Sequence, residues 1–171
     1  MSQYNLERMR KKIQTIQDKK RYEHTLGVMY TAASLAMRYE EDVEKALVAG
    51  LLHDCAKSFS TNLIHAKLGA EMALESFDIE DAYITDAIQY HTTGRPNMTL
   101  LDKIIYIADY IEPNRNQAPN LALLRKMAFE DLDQCMYQIL EDTLAYLNEK
   151  GCEIDKMTEQ AYLYYKQQIR E

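Results

Sequence analysis

An apolar segment that ends in two polar side chains constrains this chain more than any other feature. Residues 46–52 are seven apolar or small residues in succession, and His53 and Asp54 follow them directly. A buried charge costs several kcal/mol or more unless it is paired or bound to a metal. Adjacent side chains on a helix point roughly 100° apart, so both can approach an ion near the helix end. The alternative is a helix C-terminus at which His53 interacts with the helix dipole and Asp54 faces water.

The pattern of apolar residues predicts an all-α protein. Only 5 Gly and 3 Pro occur among 171 residues, 47% of the residues are hydrophobic, and no segment alternates with a period of two. This length is typical of one domain with a substantial core. Apolar spacing and capping residues predict helices over 6–17, 21–39, 43–56, 67–77, 80–91, 100–111, 120–129, 131–150 and 158–170. Ser60 is predicted to cap a short turn over 61–65.

Charge and composition limit the partners of the protein. The formal net charge of −7 argues against a nucleic acid polymer, which needs a basic face, but it allows a small anionic ligand. No segment resembles a signal peptide or approaches the length of a membrane span, so we expect no membrane partner. Three cysteines without metal-ligand spacing are typical of reduced thiols, which favours a cytoplasmic location. Cys55 follows Asp54, and we interpret it as a small buried side chain rather than a nucleophile.

The four histidines lie at notable places in the predicted helices. His53, His65 and His91 fall at or near helix ends, and His24 lies inside a helix. Each has an ordinary alternative explanation when taken alone. His24 is then an exposed helix residue, His65 belongs to a short turn, and His91 helps to end a helix.

Asp109 is a carboxylate inside the apolar run 104–111. It lies either on a narrow polar stripe with Asp102 or in the interior as a ligand. Together with His24, His53 and Asp54, which lie on two other predicted helices, it completes a set of two imidazoles and two carboxylates. Such a set favours Mn, Fe, Co or Zn over Ca or Mg. A metal of this kind can lower the pKa of a bound water and polarise a phosphoryl group.

Four segments give the chain a more specific resemblance. They read RYEHTLGV at 21–28, GLLHDCAK at 50–57, YHTTGRP at 90–96 and ADYIEPNR at 108–115. The spacing of His24, His53-Asp54 and Asp109 resembles that of the HD-domain metal-dependent phosphohydrolases. The amino-acid sequence of the last two segments resembles the YqeK family. Members of that family are bacterial symmetrical diadenosine tetraphosphate hydrolases. The resemblance extends from about residue 15 to about residue 165, with Ala66 where a glycine is expected.

The resemblance implies a helical bundle formed by one HD domain over 1–171, with a core at about 20–130 on which the C-terminal helices pack. It implies symmetrical cleavage of diadenosine tetraphosphate into two ADP. It also implies a divalent transition metal, iron first and Mn, Co or Zn as alternatives. The implied metal ligands are His24, His53, Asp54 and Asp109. Asp54, Lys57 and His91 are the expected catalytic residues. The expected substrate contacts are His24, Lys57, His65, His91, Thr92, Thr93 and Arg115.

Several alternatives remain open from the sequence. His65 and His91 either contact phosphate, or donate a proton to the departing ADP, or hold a second metal with Asp54 bridging. Lys57 and Arg115 stabilise charge on the phosphates. Tyr106 or Tyr110 is a candidate for stacking on a base. The apolar face of the last helix (Tyr162, Tyr165, Ile169) covers the core by default, or pairs with a second subunit to form a homodimer.

Two further functions compete with the favoured one. The first is another HD-type phosphohydrolase that acts on nucleoside mono- or triphosphates or on guanosine tetraphosphate alarmones. The second is a non-catalytic helical module that binds metal or nucleotide. Product analysis across these substrates separates the enzymes, and tight binding without turnover would favour the module.

Overall fold

The predicted all-α fold is confirmed by the computed structural model, which describes residues 3–61 and 64–169. These residues form helices and no strand. None of the helices within these ranges combines the length and the hydropathy that crossing a bilayer requires. The helices are α1 (Leu6–Ile16), α2 (Lys19–Tyr39), α3 (Val43–Leu52), α4 (His65–Phe77), α5 (Ala82–Gln89), α6 (Leu100–Ile111), α7 (Leu121–Met127), α8 (Leu132–Lys150) and α9 (Lys156–Gln168).

Side-chain caps set where most of these helices begin. The side chains of Asn5, Asp18, Asp42, Asp81, Thr99, Asp131 and Asp155 each accept a hydrogen bond from a backbone N–H of the first turn. These bonds satisfy donors that have no partner inside the helix. The caps explain why α2 and α9 each start two residues before the predicted positions. The predicted end of α9 at Arg170 lies outside the described residues.

Three helices end two or more residues before their predicted ends, and two of these errors concern candidate site histidines. The helix predicted over 120–129 ends at Met127. The predicted helix 43–56 ends at Leu52, and residues 53–59 form successive turns. Backbone bonds from Cys55 to Leu52, from Lys57 to Asp54 and from Phe59 to Ala56 tighten this stretch to an i→i+3 pattern. The helix predicted over 80–91 likewise ends at Gln89, which leaves His91 in the turn that follows.

The turn predicted over 61–65 is described in part, with backbone bonds from Ile64 and His65 to the carbonyl of Thr61. The hydroxyl of Ser60 donates to the carbonyl of Ala56 at 3.1 Å, and its role as a cap stays a prediction. The predicted turn includes residues 62 and 63, which lie outside the described part of the chain. The next helix begins at His65, two residues earlier than predicted, and its N-cap Ile64 makes no side-chain capping bond.

The core is built around α3 and α6. Helix α3 is almost entirely buried, which explains its continuous apolar sequence. Helix α6 packs against α2, α3, α5, α7 and α8 and places its charged Asp109 among these neighbours. The closest approach in the core is between α2 and α3, where Gly50 faces the backbone of Met29. Asp109 and the end of α3 are thereby held against α2.

The C-terminal helices complete the core. Helix α9 packs on α8, and the rings of Tyr137 and Tyr162 stack with centroids 5.7 Å apart. Tyr165 is buried, and its hydroxyl accepts a hydrogen bond from the backbone N–H of Met98 at 3.1 Å. The default interpretation of this apolar face, that Tyr162 and Tyr165 pack on the core, is therefore correct.

Substitution of Gly50 tests the α2–α3 contact. A Cβ at this position would lie 2.8 Å from the Cα of Met29, a backbone atom that cannot move aside cheaply. We expect Gly50→Ala to lower the free energy of unfolding by about 1–2 kcal/mol, because overpacking outweighs the gain in helix propensity. Urea unfolding followed by circular dichroism measures the change. The control Glu75→Ala, at an exposed position on α4, should stay within about 0.5 kcal/mol. An unchanged midpoint for Gly50→Ala would contradict the close approach.

Candidate metal centre

Three separate elements bring the predicted metal ligands together. His24 comes from α2, His53 and Asp54 from the turn after α3, and Asp109 from α6. Nε2 of His24 lies 3.0 Å from Oδ1 of Asp109. Nε2 of His53 lies 3.7 Å from Oδ1 of Asp109 and 3.7 Å from Oδ2 of Asp54. The ligand atoms of His24, His53 and Asp109 therefore lie within 4.8 Å of one another, and Asp54 adjoins this group at His53.

Hydrogen bonds on the far side of each ring orient the imidazoles. Nδ1 of His53 lies 2.8 Å from the carbonyl of Gly50, and Nδ1 of His91 lies 2.6 Å from the carbonyl of Ile88. A carbonyl oxygen can only accept, so each Nδ1 must carry the proton. In its neutral form, each ring then presents the lone pair of Nε2 to the cluster, and this is the form that binds metals.

The donor set fits a divalent metal ion. Nε2 of His24 and Nε2 of His53 are buried and have no hydrogen-bond partner. Unpartnered buried nitrogen atoms are costly unless something else occupies their lone pairs. Metal–ligand bonds of about 2.1 Å place neighbouring ligand atoms about 3.0–3.4 Å apart and opposite ones about 4.2 Å apart. The distances from His24 to Asp109, and from His53 to Asp54 and Asp109, are 3.0 to 3.7 Å and lie between these limits.

A second group of possible ligands shares His53 with the first group and contains Asp54. His53, Asp54 and His91 also bring their ligand atoms within 4.8 Å of one another. Oδ1 of Asp54 lies 3.3 Å from Nε2 of His65 and 3.5 Å from Nε2 of His91. Oδ2 of Asp54 meanwhile faces His53. Asp54 is thus placed between the two groups, as the bridging alternative requires.

Three cationic side chains border the two carboxylates. Arg115 donates from Nη2 to Oδ1 of Asp109 at 3.0 Å and from Nε to the Asp109 carbonyl at 3.1 Å. Arg21 donates from Nη1 to Oδ2 of Asp54 at 3.0 Å. Nζ of Lys57 lies 3.3 Å from Nε2 of His65. Arg115 and Lys57 were expected near the site, whereas the sequence analysis gave Arg21 no role.

Thr92 and Thr93 were both expected to contact substrate, but their hydroxyls face different partners. The hydroxyl of Thr92 lies 3.4 Å from Nε2 of His91 and 3.5 Å from Nε2 of His65, so Thr92 joins the cluster. The hydroxyl of Thr93 instead donates to the carbonyl of Gly94 at 2.9 Å. The structure therefore brings Thr92 to the candidate site but turns the Thr93 hydroxyl toward the backbone.

The polar-stripe explanation for Asp109 was wrong. Asp102 is fully buried, forms a capping box with Thr99 and accepts hydrogen bonds from Arg95 at 2.7 and 3.0 Å. It therefore belongs to a structural ion pair rather than to a solvent-facing stripe. Tyr106 is also buried in the core, which excludes it as a stacking surface, whereas Tyr110 is only partly buried.

The cluster holds its carboxylates in the charged form. Burial opposes ionisation of Asp54, but its contacts with His53, His65 and His91 hold its pKa well below the usual range. Burial opposes ionisation of Asp109 as well, and its contacts with His24 and Arg115 lower its pKa. Burial lowers the pKa of His53 to about 4, so this ring is neutral at neutral pH. Charged carboxylates beside a neutral imidazole form a suitable donor set for a cation.

Cys55 takes no part in this chemistry. Its thiol is buried and lies 3.5 Å from the carbonyl of Gly69. Burial raises the pKa of Cys55 to about 12. The thiolate is the nucleophilic form of cysteine, and this pKa keeps Cys55 protonated at neutral pH. The expectation of a small buried side chain is therefore confirmed.

Sequence analysis missed two buried residues that support the cluster. Glu112 is 1% exposed, and its Oε1 lies 3.0 Å from Nδ1 of His24. Gln17 donates to the carbonyl of Asp54 at 3.4 Å and accepts from the hydroxyl of Thr25 at 3.0 Å. Glu112 had one detectable signal, since it is a carboxylate directly after the apolar sequence of α6. Gln17 had no such signal, because it ends the predicted helix over 6–17 as an ordinary polar residue.

Comparison with known proteins identifies this arrangement. A family model described as the HD domain matches residues 21–114, which include all four candidate ligands. The crystal structure of a protein from Clostridium acetobutylicum, described as a predicted HD superfamily hydrolase involved in NAD metabolism, superposes with a TM-score of 0.91. It is 36% identical, and the match covers 96% of this chain and 98% of that one. The fold and the His/Asp cluster are those of an HD domain, a class that binds divalent metals.

Relatives of similar sequence identify a more specific family within the HD-domain proteins. The symmetrical bis(5′-nucleosyl)-tetraphosphatase of Bacillus subtilis is 41% identical, over 77% of this chain and 81% of its own length. The protein of the same name from Halalkalibacterium halodurans is 40% identical with the same coverage. That from Staphylococcus aureus is 33% identical over 94% of each chain. The chain therefore belongs to the HD-domain family of symmetrical bis(5′-nucleosyl)-tetraphosphatases, as its resemblance to the YqeK family implied.

Removal of Asp54 tests the metal centre directly. We expect Asp54→Ala to reduce the metal content of the purified protein to background, because it removes a predicted ligand whose two oxygens face His53 on one side and His65 and His91 on the other. Elemental analysis after anaerobic loading with ferrous iron measures the metal-to-protein ratio. The control Asp133→Asn alters a carboxylate that pairs with Lys103 outside the cluster, and it should keep the wild-type ratio. Retention of metal by Asp54→Ala would exclude this residue as a ligand.

Proposed function

We propose that this protein hydrolyses diadenosine tetraphosphate symmetrically to two ADP at the candidate metal centre. The observation that carries the proposal is the meeting of His24, His53, Asp54 and Asp109 in one cluster. Membership of the symmetrical bis(5′-nucleosyl)-tetraphosphatase family supports the substrate and the position of cleavage.

The charges around the cluster suit a polyphosphate. The protein as a whole carries a formal charge of −7, which by itself repels a polyanion. Arg21, Lys57 and Arg115 supply local positive charge next to the two carboxylates. A guanidinium group can bind a phosphate with two parallel hydrogen bonds, and an ammonium group acts as a compact charge. We therefore assign phosphate binding to these three side chains.

We propose iron as the bound metal, with Mn, Co or Zn as alternatives, held by His24, His53, Asp54 and Asp109. When bound, such a metal supplies Lewis acidity that activates water and polarises a phosphoryl oxygen. The surrounding residues orient the candidate ligands. The carbonyl of Gly50 holds the ring of His53, and Gln17 holds the backbone of Asp54.

Besides contact with phosphate, two roles are proposed for His65 and His91. The carbonyl of Ile88 fixes Nδ1 of His91, so that its Nε2 faces Oδ1 of Asp54. In the protonated form, this Nε2 can donate its proton to the oxygen of the departing ADP. In the neutral form, the same atom is a ligand for a second metal bridged by Asp54. A ratio of two metals per chain would select the second role, and a ratio of one would select the first.

We also propose that the enzyme acts in the cytoplasm on this nucleotide rather than on a nucleic acid polymer. The free thiols of Cys55, Cys135 and Cys152 support a reducing compartment. The acidic net charge supports a small substrate. A homodimer and the single-domain extent over 1–171 stay predictions.

Product analysis tests the proposed function. Iron-loaded protein mixed with diadenosine tetraphosphate should give ADP as the only nucleotide product, resolved by ion-exchange chromatography, and Asp54→Ala should give none. Formation of AMP and ATP would mean asymmetric attack and a different position of the substrate. Absence of turnover from metal-replete wild-type protein would refute the proposal and favour another phosphate ester or a binding role.

Lys57 tests the role of the cations. We expect Lys57→Ala to lower kcat/KM by about 10²–10³-fold, because it removes a cation beside the developing negative charge. The control Lys67→Ala changes an exposed lysine on α4 and should be neutral. Steady-state kinetics and metal content are measured on the same samples. Wild-type kinetics in a metal-replete Lys57→Ala protein would remove Lys57 from the site.

A further inference from the structure

Glu112 is a buried carboxylate next to the metal centre but outside the set of proposed ligands. It follows α6 directly and is 1% exposed. Its Oε1 lies 3.0 Å from Nδ1 of His24, and its Oε2 accepts a hydrogen bond from the backbone N–H of Asn114 at 2.7 Å. Both oxygens are thus engaged, one with a candidate ligand and the other with the loop after α6.

The contact with His24 determines how that ring faces the cluster. A carboxylate accepts hydrogen bonds, so Nδ1 of His24 carries the proton and Nε2 presents its lone pair. Nε2 is the atom that is buried without a hydrogen-bond partner, 3.0 Å from Oδ1 of Asp109. Backbone carbonyls do the same for His53 and His91. Of these three rings, His24 is the one whose Nδ1 contacts a charged side chain, that of Glu112.

Gly27 provides the space for Glu112. This glycine lies on α2, three residues after His24, where α2 faces the loop that follows α6. A Cβ at position 27 would lie 2.2 Å from Oε2 and 2.9 Å from Cδ of Glu112. Any side chain larger than a hydrogen atom would therefore displace the carboxylate. The helix accepts a residue with poor helix propensity at this point, and the close approach of Glu112 explains it.

The backbone on either side of Glu112 is also held in place. Arg125 of α7 donates to the carbonyls of Ile111, Glu112 and Arg115 at 2.8, 3.0 and 2.7 Å. The backbone N–H of Arg115 donates to the carbonyl of Glu112 at 3.0 Å. Glu112 therefore joins a candidate ligand on α2 to the segment that carries Arg115.

We propose that Glu112 is a positioning residue of the metal centre, which fixes the orientation and tautomer of His24 so that Nε2 binds the metal. Gly27 is the residue that makes room for it. The inference rests on the proposed metal site, but it concerns metal binding alone and does not depend on the substrate.

Metal affinity of Glu112→Gln tests the inference. Glutamine keeps the shape but has one acceptor oxygen for two donors, His24 and Asn114. Loss of such a supporting contact typically weakens metal binding by about 10–100-fold. We expect a rise of this size in the Kd for Co²⁺, measured without nucleotide by competition with a chromogenic chelator, and a change in the visible Co²⁺ spectrum. The control Asp102→Asn removes a buried carboxylate that binds Arg95 away from the metal centre. It should lower the Tm without a change in the Kd for Co²⁺.

Gly27→Ala provides an independent variant if Glu112→Gln does not fold. It keeps every candidate ligand and Glu112 itself, yet it should displace the carboxylate and weaken Co²⁺ binding in the same way. The inference would be overturned if wild-type protein binds Co²⁺ and a folded Glu112→Gln protein binds it with the same Kd. That result would leave the metal site intact. Wild-type protein that binds no Co²⁺ would overturn both the metal site and the inference.

Discussion

Compensation of two buried negative charges is the constraint on which the remaining structure depends. Asp54 is surrounded by Arg21, His53, His65 and His91, and Asp109 by His24, His53 and Arg115. A carboxylate in a protein interior is tolerated only when charges and donors of this kind surround it. The helices that supply these partners must therefore pack so that their polar residues meet at one point, while their apolar faces form the core around it.

The short turns after α3 and α5 show how the backbone meets this requirement. In both places the helix ends just before a histidine, and a carbonyl of the preceding helical turn accepts from its Nδ1. The helix end thus supplies both the histidine and the acceptor that orients it. The last carbonyls of a helix have no partner inside it, so those of Gly50 and Ile88 are open to the histidine rings. Apolar spacing does not reveal where a helix ends in this way, and both helices were therefore predicted too long.

The candidate ligands could be singled out from the sequence, whereas their supporting contacts could not. His53, Asp54 and Asp109 interrupt apolar segments, and an ionisable residue among apolar neighbours can be recognised from the sequence alone. Glu112 and Arg21 act through contacts with His24 and Asp54 that depend on how α2, α3 and α6 cross. Thr92 and Thr93 are adjacent and chemically alike, yet one faces the cluster and the other the backbone. Only the local geometry of the turn distinguishes them.

The long separation of the cluster's parts along the chain has a consequence for folding. His24 and Glu112 are 88 residues apart, so their contact forms only after α2 and α6 have come together. An unfolded chain offers isolated imidazoles and carboxylates, which bind metal weakly compared with the assembled set. A metal bound to the assembled set would therefore stabilise the native state by mass action, in proportion to the logarithm of its free concentration. The supply of metal would then influence how long each molecule stays folded and escapes proteolysis, in addition to whether it is active.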